Sequence, residues 1–407
     1  VNIENVDWGR YARVVIASIA VLLLIALAGI APAKSLSVVP ADVIMAKMKL
    51  GEPVVYDNII VKGNLSSDRL CLPAKQILRI PFDVKVGSSD SPNTANSTIS
   101  ITNSTIDGWV DFNSTLFHRS VSFKNTVFAH NSSFRNCIFS EGASFSESWF
   151  DGVADFQNSR FDNYAIFSLS DFLGSASFSG ARFLGPVSFM GSQFSDAAEF
   201  NTAQFGSISL FDWAFFAGPA HFRKAAFSDP ASFNSTRFEE DAFFQETQFG
   251  ATVAFIEADF NRVAGFSFAR FAEKASFNQA EFNSSASFNA SGFDETVEFA
   301  NCTFLGPAEF GGSNFNLESS FNDSVFCGPV DFFGATFLGY VDLSGSQFAE
   351  DADFSHTKFD GPADFSRSSF GKNASLFSAQ FRKSAYLESC KISRLNLTGA
   401  KYPWIFL

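Results

Sequence analysis

Phenylalanine recurs along most of this chain on a beat of five then six residues. From Phe112 the aromatics fall at Phe117, Phe123, Phe128, Phe134, Phe139, Phe145 and Phe150, and the beat runs on to Phe370. Leu343 is the one replacement in that run, and Leu376, Phe381, Leu387 and Ile392 extend it. A period of eleven held this long requires one short unit stacked many times, which is a solenoid.

The residue two before each Phe is usually small, as at Ala181, Val187, Ala198 and Ala203. On an extended segment residues i and i−2 share a face, so each segment points one Phe and one small residue inward. The residue between them points outward, and there the chain places Asp155, Arg160, Arg182, Gln193, Glu199 and Gln204. Gly, Asn, Ser and Asp fill the remaining positions, and Gly-Pro recurs in the longer step, as expected for corners. Sides of five, six, five and six residues close a coil of 22. Phe112, Phe134, Phe156, Phe178, Phe200 and Phe222 then form one core ladder. About thirteen coils spaced ~4.8 Å apart make a rod on the order of 60 Å long.

A stretch such as Phe178-Ser-Gly-Ala-Arg-Phe183-Leu-Gly-Pro-Val-Ser-Phe189 resembles the pentapeptide-repeat family, in a Phe-rich variant whose alternate units carry one extra residue. The resemblance covers about residues 99–402. It implies an all-β solenoid, a right-handed four-sided β-helix; a flatter two-sided coil is the alternative geometry.

Formal net charge is −13, which argues against a nucleic-acid binder, because phosphate contacts need clustered Lys and Arg. Residues 1–13 read as a tail. Val14–Ala33 is uncharged and mostly apolar, with Arg10 and Arg13 before it and Trp8 and Tyr11 suited to a membrane interface. Two readings compete for it: an uncleaved membrane anchor with the basic end inside, and a signal peptide cut near Ala31-Pro32-Ala33. Either exports the repeats. Residues 34–98 read as a linker and N-terminal cap, with a short helix after Pro40 that Gly51 stops, then strand-like runs; a solenoid end needs such a cover. Residues 99–402 are the repeats, and 403–407 are a closing end or the start of a continuation.

Asn-x-Ser/Thr triplets, among them Asn103, Asn113, Asn131, Asn234, Asn283 and Asn289, are glycosylation candidates in an exported chain. Cys137, Cys302 and Cys390 occupy the small inward slot and read as buried apolar residues, too far apart to bridge. The histidines have no metal-ligand spacing, and no catalytic or cofactor constellation stands out. The one ladder of chemical interest is acidic. Glu309, Asp331 and Asp353 fall 22 apart at one outward position, where a hard cation could bridge them; the plainer reading is a solvated acidic face. Large outward residues Trp149, Ile166, Phe215 and Phe243 scatter when counted by column.

The expected function is therefore a non-catalytic, membrane-tethered extracytoplasmic rod that binds an unknown protein partner or itself, with no nucleic acid, small-molecule substrate or cofactor. One alternative is a sensory or docking part of a larger membrane protein such as an ion channel, a module some members of the family carry. Another is a DNA mimic that inhibits gyrase, a role the family also contains.

Overall fold

The computed structural model describes residues 36–70, 93–403 and 405–406. The apolar segment Val14–Ala33, the run Ile77–Ile80 and Cys71 lie outside them. Among the described residues no helix is long and apolar enough to cross a membrane.

Parallel two-residue strands stack in register at a spacing of 22, so each coil has four sides. In chain order, face I carries Val121–Ser122, face II Val127–Phe128, face III Ser132–Ser133 and face IV Ile138–Phe139. The strand column of face I has 16 members and that of face IV has 14, hence about fifteen turns. That exceeds the thirteen expected from the Phe beat. Val54–Asp57 already pairs with Ile99–Thr102, and Ile60–Lys62 with Thr105–Asp107, without the aromatic signature. At the far end Ala385–Tyr386 pairs with Ile405–Phe406. Between the strand Ser37–Pro40 and Val54–Asp57, helix α1 (Ala41–Leu50) buries Ile44, Met45 and Met48 and ends at Gly51, whose φ of 73° stops it.

Core Phe rings pack against the Phe one coil away, except Phe365, which lies between Leu343 and Leu387. Phe112 and Phe134 tilt at 5.9 Å, and from Phe134 onward the rings run nearly parallel: Phe134–Phe156 5.0 Å, Phe156–Phe178 5.1 Å, Phe178–Phe200 5.0 Å, Phe200–Phe222 4.7 Å. Rings of neighbouring sides meet edge to face, as Phe167 and Phe178 do at 5.1 Å and 79°. Both geometries suit the aromatic quadrupole.

The small inward slot does more than make room. On faces II and IV, most Ser, Thr or Cys side chains in this slot donate to a carbonyl 25 residues earlier: Ser159 Oγ to Phe134 O at 2.6 Å, Thr247 Oγ1 to Phe222 O at 2.7 Å, Cys302 Sγ to Phe277 O at 2.9 Å. Cys137 and Cys302 are buried there, whereas Cys390, near the end of the stack, is only partly covered.

Two of the four corners are tight turns of type II geometry. Ala181 N donates to Phe178 O at 3.0 Å, and Gly180 between them has φ 66°. Most other coils place a non-glycine residue there, including Leu169, Trp213 and Phe268 at φ 57–59°. The glycines of Gly-Pro have a different cause. A Cβ on Gly306 would lie 2.5 Å from Ser284 C, and one on Gly328 2.4 Å from Gly306 C. Close approach between coils, not a positive φ, demands glycine at those corners.

Candidate docking face

The acidic ladder is real in register: Glu309 sits beside Asp331, and Asp331 beside Asp353, on face III. Its carboxylates are already engaged. Asp331 Oδ1 accepts from Phe333 N at 2.6 Å and Asp353 Oδ1 from Ser355 N at 2.8 Å, so each caps the turn that follows it. Glu309 Oε2 accepts from Asn289 Nδ2 at 2.8 Å. Partial burial raises the Asp331 pKa, and the neighbouring Asp353 and Glu309 charges push the same way against the Phe333 N–H. Among the described residues no group of three or more His, Cys, Asp or Glu is placed to hold a metal ion.

The glycosylation candidates also bond across coils. Asn113 Oδ1 accepts from Arg135 N, Asn131 Oδ1 from Val153 N, and Asn234 Oδ1 from Ile256 N, at 2.9, 3.0 and 2.9 Å. Asn103 Nδ2 donates to Asp57 Oδ1, Asn283 Nδ2 to Asn261 Oδ1 and Asn289 Nδ2 to Glu309 Oε2, at 2.6, 2.7 and 2.8 Å. Such bonds hold successive coils in register.

One side of the rod differs from the other three. The outward residues of face I from Ser100 through Ser122, Ser144, Ile166, Ser188, Leu210, Ser232 and Ala254 to Ser276 include no ionisable group. The other faces all carry charge at this level: Asp171 and Arg237 on face II, Asp155 and Glu199 on face III, Arg160 and Arg182 on face IV. Past Ser276, face I becomes acidic too, with Glu298, Asp342 and Asp364.

The middle of this neutral stretch is apolar. Tyr164, Ile166 and Leu169 lie on one coil, Pro186 and Met190 on the next, Ile208, Leu210 and Trp213 on the third. Leu169 and Trp213 are 60% and 64% exposed, although their left-handed turn position carries a backbone cost. Glycines seat these side chains: a Cβ on Gly142 would fall 1.9 Å from Tyr164 Cζ, and one on Gly191 2.8 Å from Leu169 Cδ2. Asp212, the acidic residue within the patch, is folded inward and accepts from Ser232 Oγ and Asn234 N.

Counting only the residue before each Phe misses this patch. Trp149 and Phe215 lie on face II, Ile166 on face I and Phe243 on face III, so that column scatters as expected. The corner residues Tyr164, Leu169, Ile208 and Trp213 make the cluster. The signal was present in the sequence at a spacing of 44, as Tyr164/Ile208, Ile166/Leu210 and Leu169/Trp213.

The model of pentapeptide repeats matches residues 123–168, 156–204, 214–258 and 332–380. Among solved structures, HetL, a pentapeptide repeat protein involved in heterocyst differentiation regulation from the cyanobacterium Nostoc sp. strain PCC 7120, aligns at 14% identity over 64% of this chain and 87% of its own, with a TM-score of 0.23. No curated protein sequence matches.

Proposed function

We propose, on the premise that this chain is a pentapeptide-repeat protein, that it is a non-catalytic interaction scaffold whose working surface is the uncharged part of face I. The observation that carries this is an exposed apolar cluster on the neutral side of a chain with net charge −13. Exposed apolar residues clustered on three successive coils, rather than scattered singly, mark a contact site. The Phe stack holds the face rigid, so binding costs little ordering entropy. The winding is right-handed, the sense favoured when parallel strands are joined by crossovers and the one the family resemblance implies.

In this reading Val14–Ala33 tethers the rod to a membrane and the repeats stand outside the cell. The support is the length of that apolar run and the basic residues before it. Carbonate extraction of membranes and protease treatment of intact cells test it. Release by carbonate or protection from protease removes the tether and its orientation.

The docking claim is tested in the full chain with a photo-crosslinking residue at Ser232 on face I or at Ser177 on face III. Adducts from position 232 and few from 177 are expected. Equal yields from both positions, or none from either, overturn the assignment of the face.

A further inference from the structure

We infer that the partner of face I is a second copy of this chain, packed face to face and antiparallel about a two-fold axis crossing the row of Ser188. This rests on face I being the docking surface and names its occupant.

The apolar patch is centred on that row, with Ile166 one coil before it and Leu210 one coil after. Ser100 lies four coils before Ser188 and Ser276 four coils after, and charge enters the outward column at the next coil, Glu298. A two-fold axis across the Ser188 row maps the coil below onto the coil above. Ile166 then meets Leu210 of the other copy, Tyr164 meets Ile208, and Leu169 meets Trp213. A symmetric interface must be complementary to itself, and this patch repeats its own residue types at equal distances on either side of one row.

At the turn corner Lys124, which pairs with Glu147 of its own copy at 3.0 Å, can meet a second carboxylate. Lys124 lies on the coil three below Ser188 and Glu257 on the coil three above, both at the turn corner of face I. The antiparallel pairing brings Lys124 of each copy to Glu257 of the other, twice. A parallel pairing would bring the turn corner against the opposite corner, setting Leu169 against Asn163 and Trp213 against Ser207, so the apolar corners would lose their match.

The size is sufficient. Nine rows at ~4.8 Å span about 38 Å, and the side with its two corners is about 16 Å wide. About 600 Å² per copy, or about 1,200 Å² in total, reaches the lower bound of stable interfaces. Flat rows of Ser flanking the apolar centre suit sheets packed face to face.

The test is sedimentation velocity of the full chain, in detergent where needed, over a concentration series. A dimer is expected, weakened at least tenfold by Ile166→Asp with Leu210→Asp while the circular dichroism spectrum is retained. Lys124→Glu alone weakens the dimer, and adding Glu257→Lys restores it. In a Cys327→Ser background, a short bis-maleimide links Ser188→Cys copies into a dimer and does not link Ser177→Cys copies. A monomer throughout, a dimer indifferent to the paired Asp substitutions, or a charge swap that fails to rescue overturns the proposal. A photo-adduct from position 232 to a different protein would remove the self-pairing and leave the docking face standing.

Discussion

Phe255 lies deep in the stack, and its truncation measures what one ring contributes. Its ring stacks on Phe233 at 4.7 Å and on Phe277 at 5.0 Å, and meets Phe244 and Phe266 edge to face at 5.4 Å each. Phe255→Ala leaves room of about 100 Å³, worth about 2.4 kcal/mol at ~24 cal/mol per Å³, before the lost transfer energy is added. The walls have little freedom to collapse, because Phe255 N bonds Ser276 O at 2.7 Å and Phe233 N bonds Ala254 O at 2.8 Å. The total should fall at about 3–5 kcal/mol. Phe255→Leu should cost only ~1–2 kcal/mol, since Leu343 fills an equivalent slot and is fully buried there. Guanidinium unfolding of the full chain, followed by far-ultraviolet circular dichroism, gives both values from the midpoint shift at constant slope. A loss below about 1 kcal/mol for the Ala variant would refute a rigid, filled core.

Other consequences are open to measurement. Gly306→Ala forces a Cβ against the Ser284 backbone and should cost ~1–3 kcal/mol by the same assay; a neutral result contradicts the close approach of coils. Asp331→Asn keeps an oxygen for the Phe333 N–H but removes a charge whose folded pKa is raised. A raised carboxyl pKa destabilises the fold above that pKa and has no effect below the unfolded value. The Asn variant should therefore melt higher than wild type at pH 7, with the gain gone near pH 3; an equal gain at both pH values would exclude the electrostatic cause. Burial pushes the Cys302 thiol up to about 12 and raises that of Cys137, while Cys327 is exposed. Of the described cysteines Cys327 should react first with a thiol reagent in the native state, and equal rates would mean that the core opens.

The periodic part of this fold is legible because every coil faces the same constraint. A Phe at 22-residue spacing can only stack on itself, and the small residue two before it can only point inward. The first coils were harder to read: Val54, Ile59 and Val61 fill the same places without aromatics, so β-propensity alone marks them. Hydrogen bonding at the inward slot was hidden because Ala, Ser, Thr and Cys are similar in size, and only the coordinates show the hydroxyls and thiols reaching a Phe carbonyl. The acidic ladder was visible as spacing, but its role in capping turns depends on which backbone N–H each carboxylate meets. The docking face was the least legible part, since half of it lies at corners, where the residue before each Phe carries no information.

Hydroxyl-radical footprinting of the full chain tests most directly whether the uncharged face is the one that is covered. Tyr164, Met190 and Trp213 should label slowly in wild type and fast in the Ile166→Asp/Leu210→Asp variant, while Trp149 and Phe333 on other sides label alike in both. Equal, fast labelling of Tyr164, Met190 and Trp213 in wild type would mean that face I stands open and that the working surface lies elsewhere.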